Sequence, residues 1–192
     1  MPSDPFFHPV SGFDLPRFAG VPTFMRLPHV PPGHARFDEV EIGIAGVPWD
    51  SGTTNRPGPR HAPRQLRDAS TMIRAQHAVT GQRPFEAANC ADLGDVGPNP
   101  ADIPDSMDRI TSFYGDLVQA GIRPLTAGGD HLTSLPVLRA LAKDAQLDVK
   151  LRTEVVQIER VGGGFDVRVR VGDGDGAQRE ETLRARFVVW AA

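Results

Sequence analysis

Hydrophobic and polar residues are arranged in two different ways along this chain, and the change falls near residue 145. Before it, short apolar runs typical of buried parallel strands, such as VEIGIAGV at Val40 to Val47, alternate with segments of helical period. After it, apolar residues recur at every second position, as in FDVRVRV at Phe165 to Val171. The first pattern predicts an α/β fold with a parallel sheet, and the second predicts a short antiparallel β-meander.

The two patterns divide the chain into residues 1–144 and residues 145–192. In the first part, strands are predicted at 40–47, at 89–96 and directly before Gly128 and Gly129. Helices are predicted from Ala62 to Arg74, at 103–120 before Gly121, and from Thr133 to about Ala142. The first of these helices has Leu66, Ala69 and Ile73 on one face. In the second part, the glycine cluster Gly162 to Gly164 predicts a hairpin, and the turn from Gly172 to Gly176 leads to a further strand.

Residues 1–37 follow neither pattern, because Pro, Phe and His are crowded there without a sustained period. Proline density disfavours helix interiors and central strands, whereas the aromatic residues argue against a solvated linker. We expect an irregular arm that lies over an apolar surface of its own fold or of a neighbouring subunit. Its predicted anchors are Phe13, Phe18, Phe24 and Met25, and the second arrangement would make the protein a homo-oligomer.

Composition narrows the class of protein. Apolar residues at 40% and charged residues at 23% are near the globular norm, and a net charge of −3 provides no basic field for nucleic acid or an anionic membrane. No apolar run is long enough to span a bilayer, and the start lacks the pattern of a signal peptide. Cys90 is the single cysteine, which excludes a disulfide framework and a cysteine zinc site within these residues. We therefore expect a soluble, cytoplasmic protein.

The candidate chemistry lies in Gly128-Gly129-Asp130-His131, directly after a predicted strand. Two glycines allow a tight turn and a close approach of the backbone to a ligand, at the edge of the sheet where α/β folds place their sites. Imidazole is the commonest metal ligand in proteins, and carboxylates often orient it. The same four residues would also suit a polar turn between a strand and a helix without any ligand.

A long loop rich in glycine and proline, residues 48–61, follows the first strand. It is too polar for a core and too aromatic for a plain linker. Its Asn55 and Arg56 side chains would suit hydrogen bonds that hold the loop.

Four segments in order resemble the agmatinase and arginase family of ureohydrolases: PVSGFDLPRFAGVPTFMRLP from Pro9, GVPWDSGTTNRPGPRHAPRQLR from Gly46, DLGDV from Asp92 and GGDHLTSLPVLRAL from Gly128. The resemblance covers about three quarters of the chain. It implies a three-layer αβα fold in which two manganese ions activate a bridging hydroxide that attacks a guanidinium carbon of agmatine, guanidinobutyrate or a related linear compound and releases urea. By this resemblance His131 is a manganese ligand, and Asp130, Gly128 and Gly129 have supporting roles.

The resemblance also places the loop from Asp50 to Arg60 at the substrate entrance, with Asn55 and Arg56 as candidate substrate-contacting residues. The alternative is that these two side chains hold the loop by hydrogen bonds.

The same resemblance shows what the sequence lacks. The family supplies its other metal ligands from an Asp-Ala-His-x-Asp motif after the next strand and from a later Ser-x-Asp-x-Asp motif, and neither is present here. No histidine follows His131. Because two divalent ions need several carboxylates to offset their charge, we expect no complete catalytic set and little or no hydrolysis by this chain.

The second part looks different. LDVKLRTEVVQIERVGGGFDVRVR with RARFVVWAA resembles the stretch in which a β-meander of FAD-dependent oxidoreductases returns to the flavin domain. This resemblance implies a segment of different origin, joined to the ureohydrolase-like part. Two alternatives to a relic hydrolase therefore stay open: a non-catalytic assembly module that pairs with intact ureohydrolase subunits, and a fragment of a flavin-dependent oxidoreductase.

Overall fold

The computed structural model describes residues 3–143, 153–162, 164–172 and 178–185. It contains two compact units, residues 1–147 and residues 148–192. Among the described residues, no helix is both long enough and apolar enough to cross a membrane.

The first unit is built on a three-stranded parallel sheet. Its strands are β1 (Ile42–Gly46), β2 (Cys90–Asp95) and β3 (Arg123–Ala127), in the order β2-β1-β3. Ile42 lies opposite Cys90 on one side and opposite Arg123 on the other. Since all three strands run in the same direction, their carboxyl ends meet at one edge of the sheet.

Four helices accompany these strands: α1 (Ala62–Ser70), α2 (Pro84–Ala87), α3 (Ile103–Gln119) and α4 (Ser134–Lys143). The longest, α3, shows how the sequence sets the bounds. The Asp102 carboxylate caps it by accepting the N–H of Asp105 at 2.9 Å, and the helix ends before Gly121, whose φ is +71°. Its buried residues recur every three or four positions: Met107, Ile110, Tyr114 and Leu117.

Two apolar clusters lie on the two faces of this sheet. Ala45 and Leu93 belong to the larger cluster, together with the buried side of α3, whereas Ile44 belongs to the smaller one. Because neighbouring residues of a strand point to opposite faces, the clusters are separate layers. The predicted fold class, a parallel α/β sheet followed by an antiparallel meander, is confirmed.

The prediction for α1 was wrong about which side is buried. Leu66, Ala69 and Ile73 are all exposed, and the helix ends at Ser70. The side that faces the fold carries Pro63 and Arg67 instead. Arg67 points inward because it pairs with the buried Asp92 carboxylate. The spacing of apolar residues does not reveal such a pair.

The prediction of the arm's anchors was right in part. Phe24 is buried and Met25 is half-buried, but Phe13 and Phe18 are exposed. Sequence reasoning missed other buried residues of the arm: Phe7, Arg26, Leu27, Val30 and Phe37. The arm also runs beside the outer edge of β2, where the Val30 N–H donates to the Asp92 carbonyl at 2.8 Å and the Asp92 N–H donates to the Pro28 carbonyl at 3.0 Å.

The second unit is a three-stranded antiparallel meander: β4 (Thr153–Val161), β5 (Gly164–Gly172) and β6 (Gln178–Ala185). One face is apolar across the strands, as in the row Ile158, Val167 and Leu183. The other face carries ion pairs of Arg170 with Glu154 and Glu180. The predicted positions Leu147, Val149 and Leu151 and the final run at 186–192 lie outside the described residues.

Candidate functional site

The candidate site lies where the three parallel strands end. The Val47 N–H, just after β1, donates to the Ala127 carbonyl at 3.0 Å, and the Val96 N–H, just after β2, donates to the Gly46 carbonyl at 2.9 Å. The loop after β1 and the turn after β3 therefore start side by side. This is the edge at which α/β proteins bind ligands.

The turn after β3 requires both of its glycines. Gly128 and Gly129 have φ values of +81° and +87°, in the left-handed region that side chains disfavour. A Cβ on Gly128 would lie 2.5 Å from Cδ of Pro63, and one on Gly129 would lie 2.7 Å from Cγ2 of Thr133. The turn is thus closely packed against the start of α1.

Asp130 joins this turn to the loop after β1. Its Oδ1 accepts the Leu132 N–H at 2.9 Å and caps the short 3₁₀ turn at His131–Thr133, and its Oδ2 accepts the Gly52 N–H at 2.6 Å. The Asp130 N–H in turn donates to the Trp49 carbonyl at 2.9 Å. Both carboxylate oxygens therefore have backbone partners, which is the geometry of a supporting residue.

His131 is the residue that the turn presents. Its side chain is exposed, and its imidazole makes no hydrogen bond with any described residue. Its role as a metal ligand stays a prediction. In the described part of the chain, however, no three His, Cys, Asp or Glu side chains come together, so the donors present do not fit a pair of manganese ions.

The loop is held by Asp50, a residue that the sequence reasoning did not single out. The buried Asp50 carboxylate accepts the Gly58 N–H at 2.7 Å and pairs with the Arg60 guanidinium, with Nε at 2.5 Å. The Arg60 guanidinium, opposed by burial and assisted by the N–H groups of Gly58 and Arg60, lowers the pKa of Asp50 to about 2. The sequence did contain a signal for this role, because Asp50 is an aspartate that directly precedes a turn rich in glycine and proline.

Asn55 and Arg56 do not hold the loop. Both side chains are exposed, and neither makes a side-chain hydrogen bond or an ion pair within the described ranges. They follow Gly52, the residue that is bound to Asp130, by three and four positions. Their role towards a substrate stays a prediction.

A second buried carboxylate holds the arm and α1 to β2. Asp92 accepts two bonds from the Arg67 guanidinium, at 2.7 and 2.9 Å, and one from the Phe24 N–H at 2.9 Å. Burial by itself raises the pKa of Asp92, but Arg67 and the backbone N–H groups outweigh it and hold the pKa below its ordinary value. The Arg67 guanidinium also lies over the Phe24 ring, 4.1 Å from its centre.

This edge of a parallel sheet, with a glycine turn that presents an imidazole, has the layout of the arginase fold. The model of the Arginase family matches residues 40–159, which is more than half of the chain. The chain belongs to the arginase family. The match extends beyond α4 into β4, so part of the second unit lies within it.

Curated relatives agree with this assignment. Guanidinopropionase of Pseudomonas aeruginosa is 46% identical over 139 residues, which are 72% of this chain and 42% of that protein. Guanidinobutyrase of the same organism is 44% identical over 135 residues, 70% of this chain and 42% of that protein. The chain therefore spans about two fifths of the length of these relatives.

The solved structure of proclavaminate amidino hydrolase from Streptomyces clavuligerus superposes with a TM-score of 0.62 at 37% identity. The superposition covers 67% of this chain and 41% of that one. The resemblance to the arginase family is confirmed in sequence and in fold. The resemblance of the second part to flavin-dependent oxidoreductases stays a prediction.

Proposed function

We propose that this chain carries the first part of a manganese-dependent hydrolase of linear guanidino compounds, releasing urea and an amine, and that by itself it hydrolyses little or none. Guanidinobutyrate, related guanidino acids and agmatine are the substrates that the relatives' names support. The observation that carries the proposal is the exposed His131 on a turn that Asp130 fixes to the neighbouring loop, in a chain 46% identical to guanidinopropionase over the matched region.

The proposed lack of activity follows from the donors that the reaction needs. A guanidinium group is stabilised by resonance and is a poor electrophile, and two divalent ions would activate water for attack on its carbon. Holding two dications needs several carboxylates, but Asp130 has both oxygens bound to backbone N–H groups. His131 therefore offers a single imidazole where a complete set of ligands is required.

Urea release tests this proposal. The full chain is incubated with Mn²⁺ and, in turn, agmatine, guanidinobutyrate and guanidinopropionate, with the Pseudomonas guanidinopropionase as the positive control. We expect no manganese-dependent urea from the chain. Urea that appears with Mn²⁺ and disappears in His131→Ala would contradict the proposed inactivity.

A second candidate function is an assembly module that contacts intact ureohydrolase subunits or further copies of the chain. The specific observation is on the arm, where Phe13 is 102% exposed and Phe18 is 92% exposed. Aromatic side chains at such exposure are typical of residues that become buried in an interface. They lie in the arm, which the sequence predicts to cover an apolar surface of its own fold or of a neighbouring subunit.

Light scattering after gel filtration tests this second function. The double variant Phe13→Ser/Phe18→Ser should shift an oligomer of the chain, or a mixed complex with the Pseudomonas guanidinobutyrase, towards the monomer. Val79→Ser is the matched control, because Val79 is equally exposed but lies outside the arm. A wild-type chain that stays monomeric alone and in the mixture would exclude the assembly role.

A further inference from the structure

A cavity of about 550 Å³ lies between the arm and the segment that follows α1. Its apolar lining residues are Pro9, Val10, Phe13, Pro16, Met25 and Ile73. Phe13 and Ile73 are exposed, so they form an open rim and not a closed core. A cavity of this volume is within the range in which proteins bind small organic molecules.

The length of α1 separates this cavity from the candidate site. Pro63, in the first turn of α1, lies beside Gly128 of the turn after β3, whereas Ile73 and Ala75 of the cavity come after the helix ends. The nine residues of α1 span about 13 Å at the rise of an α-helix. None of the described lining residues belongs to the loop after β1 or to the turn after β3. The cavity is therefore a separate place in the first unit.

Arg26 places a buried charge beside this cavity. Only 8% of the residue is exposed, and its Nη2 donates to the Leu15 carbonyl at 2.6 Å. Its Nε and Nη1 make no hydrogen bond with any described residue, and no described carboxylate pairs with the guanidinium. Because a buried charge without a counter-ion is unfavourable, an anion in the cavity would be stabilised.

The backbone that carries Arg26 is fixed in an unusual conformation. Met25 and Arg26 have φ values of +54° and +62°, which are uncommon for residues other than glycine. The Met25 N–H donates to the Ser70 Oγ at 2.8 Å, and the Arg26 carbonyl accepts the Val10 N–H at 3.1 Å. Such conformations persist where surrounding contacts fix them, and they are concentrated at functional sites. Arg26 is thus positioned before any ligand binds.

A second guanidinium borders the same space. Arg17 is half-buried and lines the cavity, and it makes no hydrogen bond or ion pair with the part of the chain that the structure describes. A Cβ on Gly12 would lie 3.4 Å from Arg17 Nε and 4.0 Å from Arg26 Nη1, so both groups reach the same point of the wall. Among the described residues that line the cavity, none is Asp or Glu. The charge of the lining is therefore positive, and guanidinium groups bind carboxylates through paired N–H donors.

We propose that this cavity binds a small organic carboxylate with an apolar chain. The carboxylate pairs with Arg26 and Arg17, and the chain lies against Met25 and Phe13. The inference does not rest on the proposed function, because the cavity contains no residue of the candidate metal site. Binding requires no hydrolysis, so the two proposals fail separately.

Titration calorimetry of the full chain with octanoate tests the proposal. Octylammonium has the same apolar chain with the opposite charge, and acetate has the charge without the chain. We expect octanoate to bind with a dissociation constant below about 1 mM and acetate to bind at least about tenfold more weakly. Octylammonium should give no binding heat. A lack of octanoate binding, or equal binding of octylammonium, would overturn the proposal.

Variants locate the binding. Arg17→Gln should weaken octanoate binding at least about fivefold, and Gly12→Leu, which fills the space between the two guanidinium groups, should abolish it. Arg74→Gln is the matched control, because Arg74 is exposed and does not line the cavity although both of its neighbours do, and it should bind as the wild type does. Arg26→Gln should weaken binding at least about tenfold if circular dichroism shows that it folds. If it does not fold, Arg17→Gln and Gly12→Leu decide, and an equal loss in Arg74→Gln contradicts the proposal.

Light scattering distinguishes a free ligand from a second copy of the chain. A carboxylate of another copy in this cavity would make octanoate shift an oligomer towards the monomer. We expect octanoate to bind without any change in mass. A shift in mass that Arg17→Gln reproduces without octanoate would overturn the proposal of a small ligand.

Discussion

The two edge strands of the parallel sheet, β2 and β3, differ in whether another segment of the chain pairs with them. At the β2 edge, the arm supplies a backbone partner, and Asp92 joins the arm, α1 and the strand through Arg67 and Phe24. At the β3 edge, no strand other than β1 pairs with β3 within the described residues, and Leu125 is half exposed. Both edges lie in the region that the Arginase family model matches, so the difference teaches that the arm and a buried ion pair, and not the sheet alone, hold the β2 edge.

The largest expected effect is that of Asp92→Ala, which tests how the β2 edge is held. The change leaves the half-buried Arg67 without its main carboxylate and the Phe24 N–H without an acceptor, so we expect a loss of about 4 kcal/mol in the free energy of unfolding. Urea denaturation measures it. Glu86→Gln, in an exposed pair with Arg83, should cost less than about 1 kcal/mol. Equal effects of the two changes would mean that the β2 edge is not held as described.

A pair of leucine substitutions compares the two edges directly. Leu93→Ala on β2 removes a fully buried side chain and should cost about 3 kcal/mol. Leu125→Ala on β3 should cost about 1 kcal/mol or less in the isolated chain, because half of the side chain is already exposed. The same urea titration measures both, and a larger loss at Leu125 would show that the β3 edge is covered.

Acid should loosen the loop beside the β3 turn. The pKa of Asp50 is lowered from 3.8 to about 2, so its contribution to stability is present above about pH 4 and is lost as the pH falls towards 2. We expect the wild type to lose more stability than Asp50→Asn between about pH 5 and about pH 2.5. Asp14→Asn, exposed and without an ion pair in the described part of the chain, should follow the wild-type curve. If stability depended on pH in the same way in all three proteins, Asp50 would not be the group that stabilises the loop.

The smallest expected effect is a difference in thermal midpoint between the alanine variants of two arginines in the same loop, Arg60 and Arg56. Arg60→Ala removes the guanidinium that pairs with Asp50 and should lower the thermal midpoint measurably. Arg56→Ala should leave the midpoint unchanged, because its side chain is exposed and has no described partner. Circular dichroism during heating measures both. A larger effect at Arg56 would restore the interpretation in which this residue holds the loop.

The periodicity of apolar residues was sufficient to predict the elements whose positions depend on packing alone. The helix predicted at 103–120 is α3, Ile103–Gln119, because its apolar spacing, its cap and its terminal glycine all agree. The hairpin across the glycine cluster is β4 and β5, for the same reason. The face of α1 was missed because Arg67 is turned inward by Asp92, 25 residues later in the chain. No local pattern contains that pairing.

The candidate site was predictable only in part. The glycines of the β3 turn and the exposed His131 follow from the order strand, glycine pair and helix. The role of Asp50 did not follow, since its partners, the Gly58 N–H and the guanidinium and N–H of Arg60, are eight and ten residues away and only the folded loop brings them near. Sequence reasoning named Asn55 and Arg56 instead, either as substrate-contacting residues or as residues that hold the loop by hydrogen bonds. Their side chains point into solvent.

The bond between Gly52 and Asp130 links residues 78 positions apart, yet both belong to the first unit. Within the first unit, the loop after β1 and the turn after β3 are therefore tied together by one carboxylate, although they are distant in the sequence. A substitution of Asp130 should displace Gly52, and a rearrangement of the loop should in turn shift the position of His131.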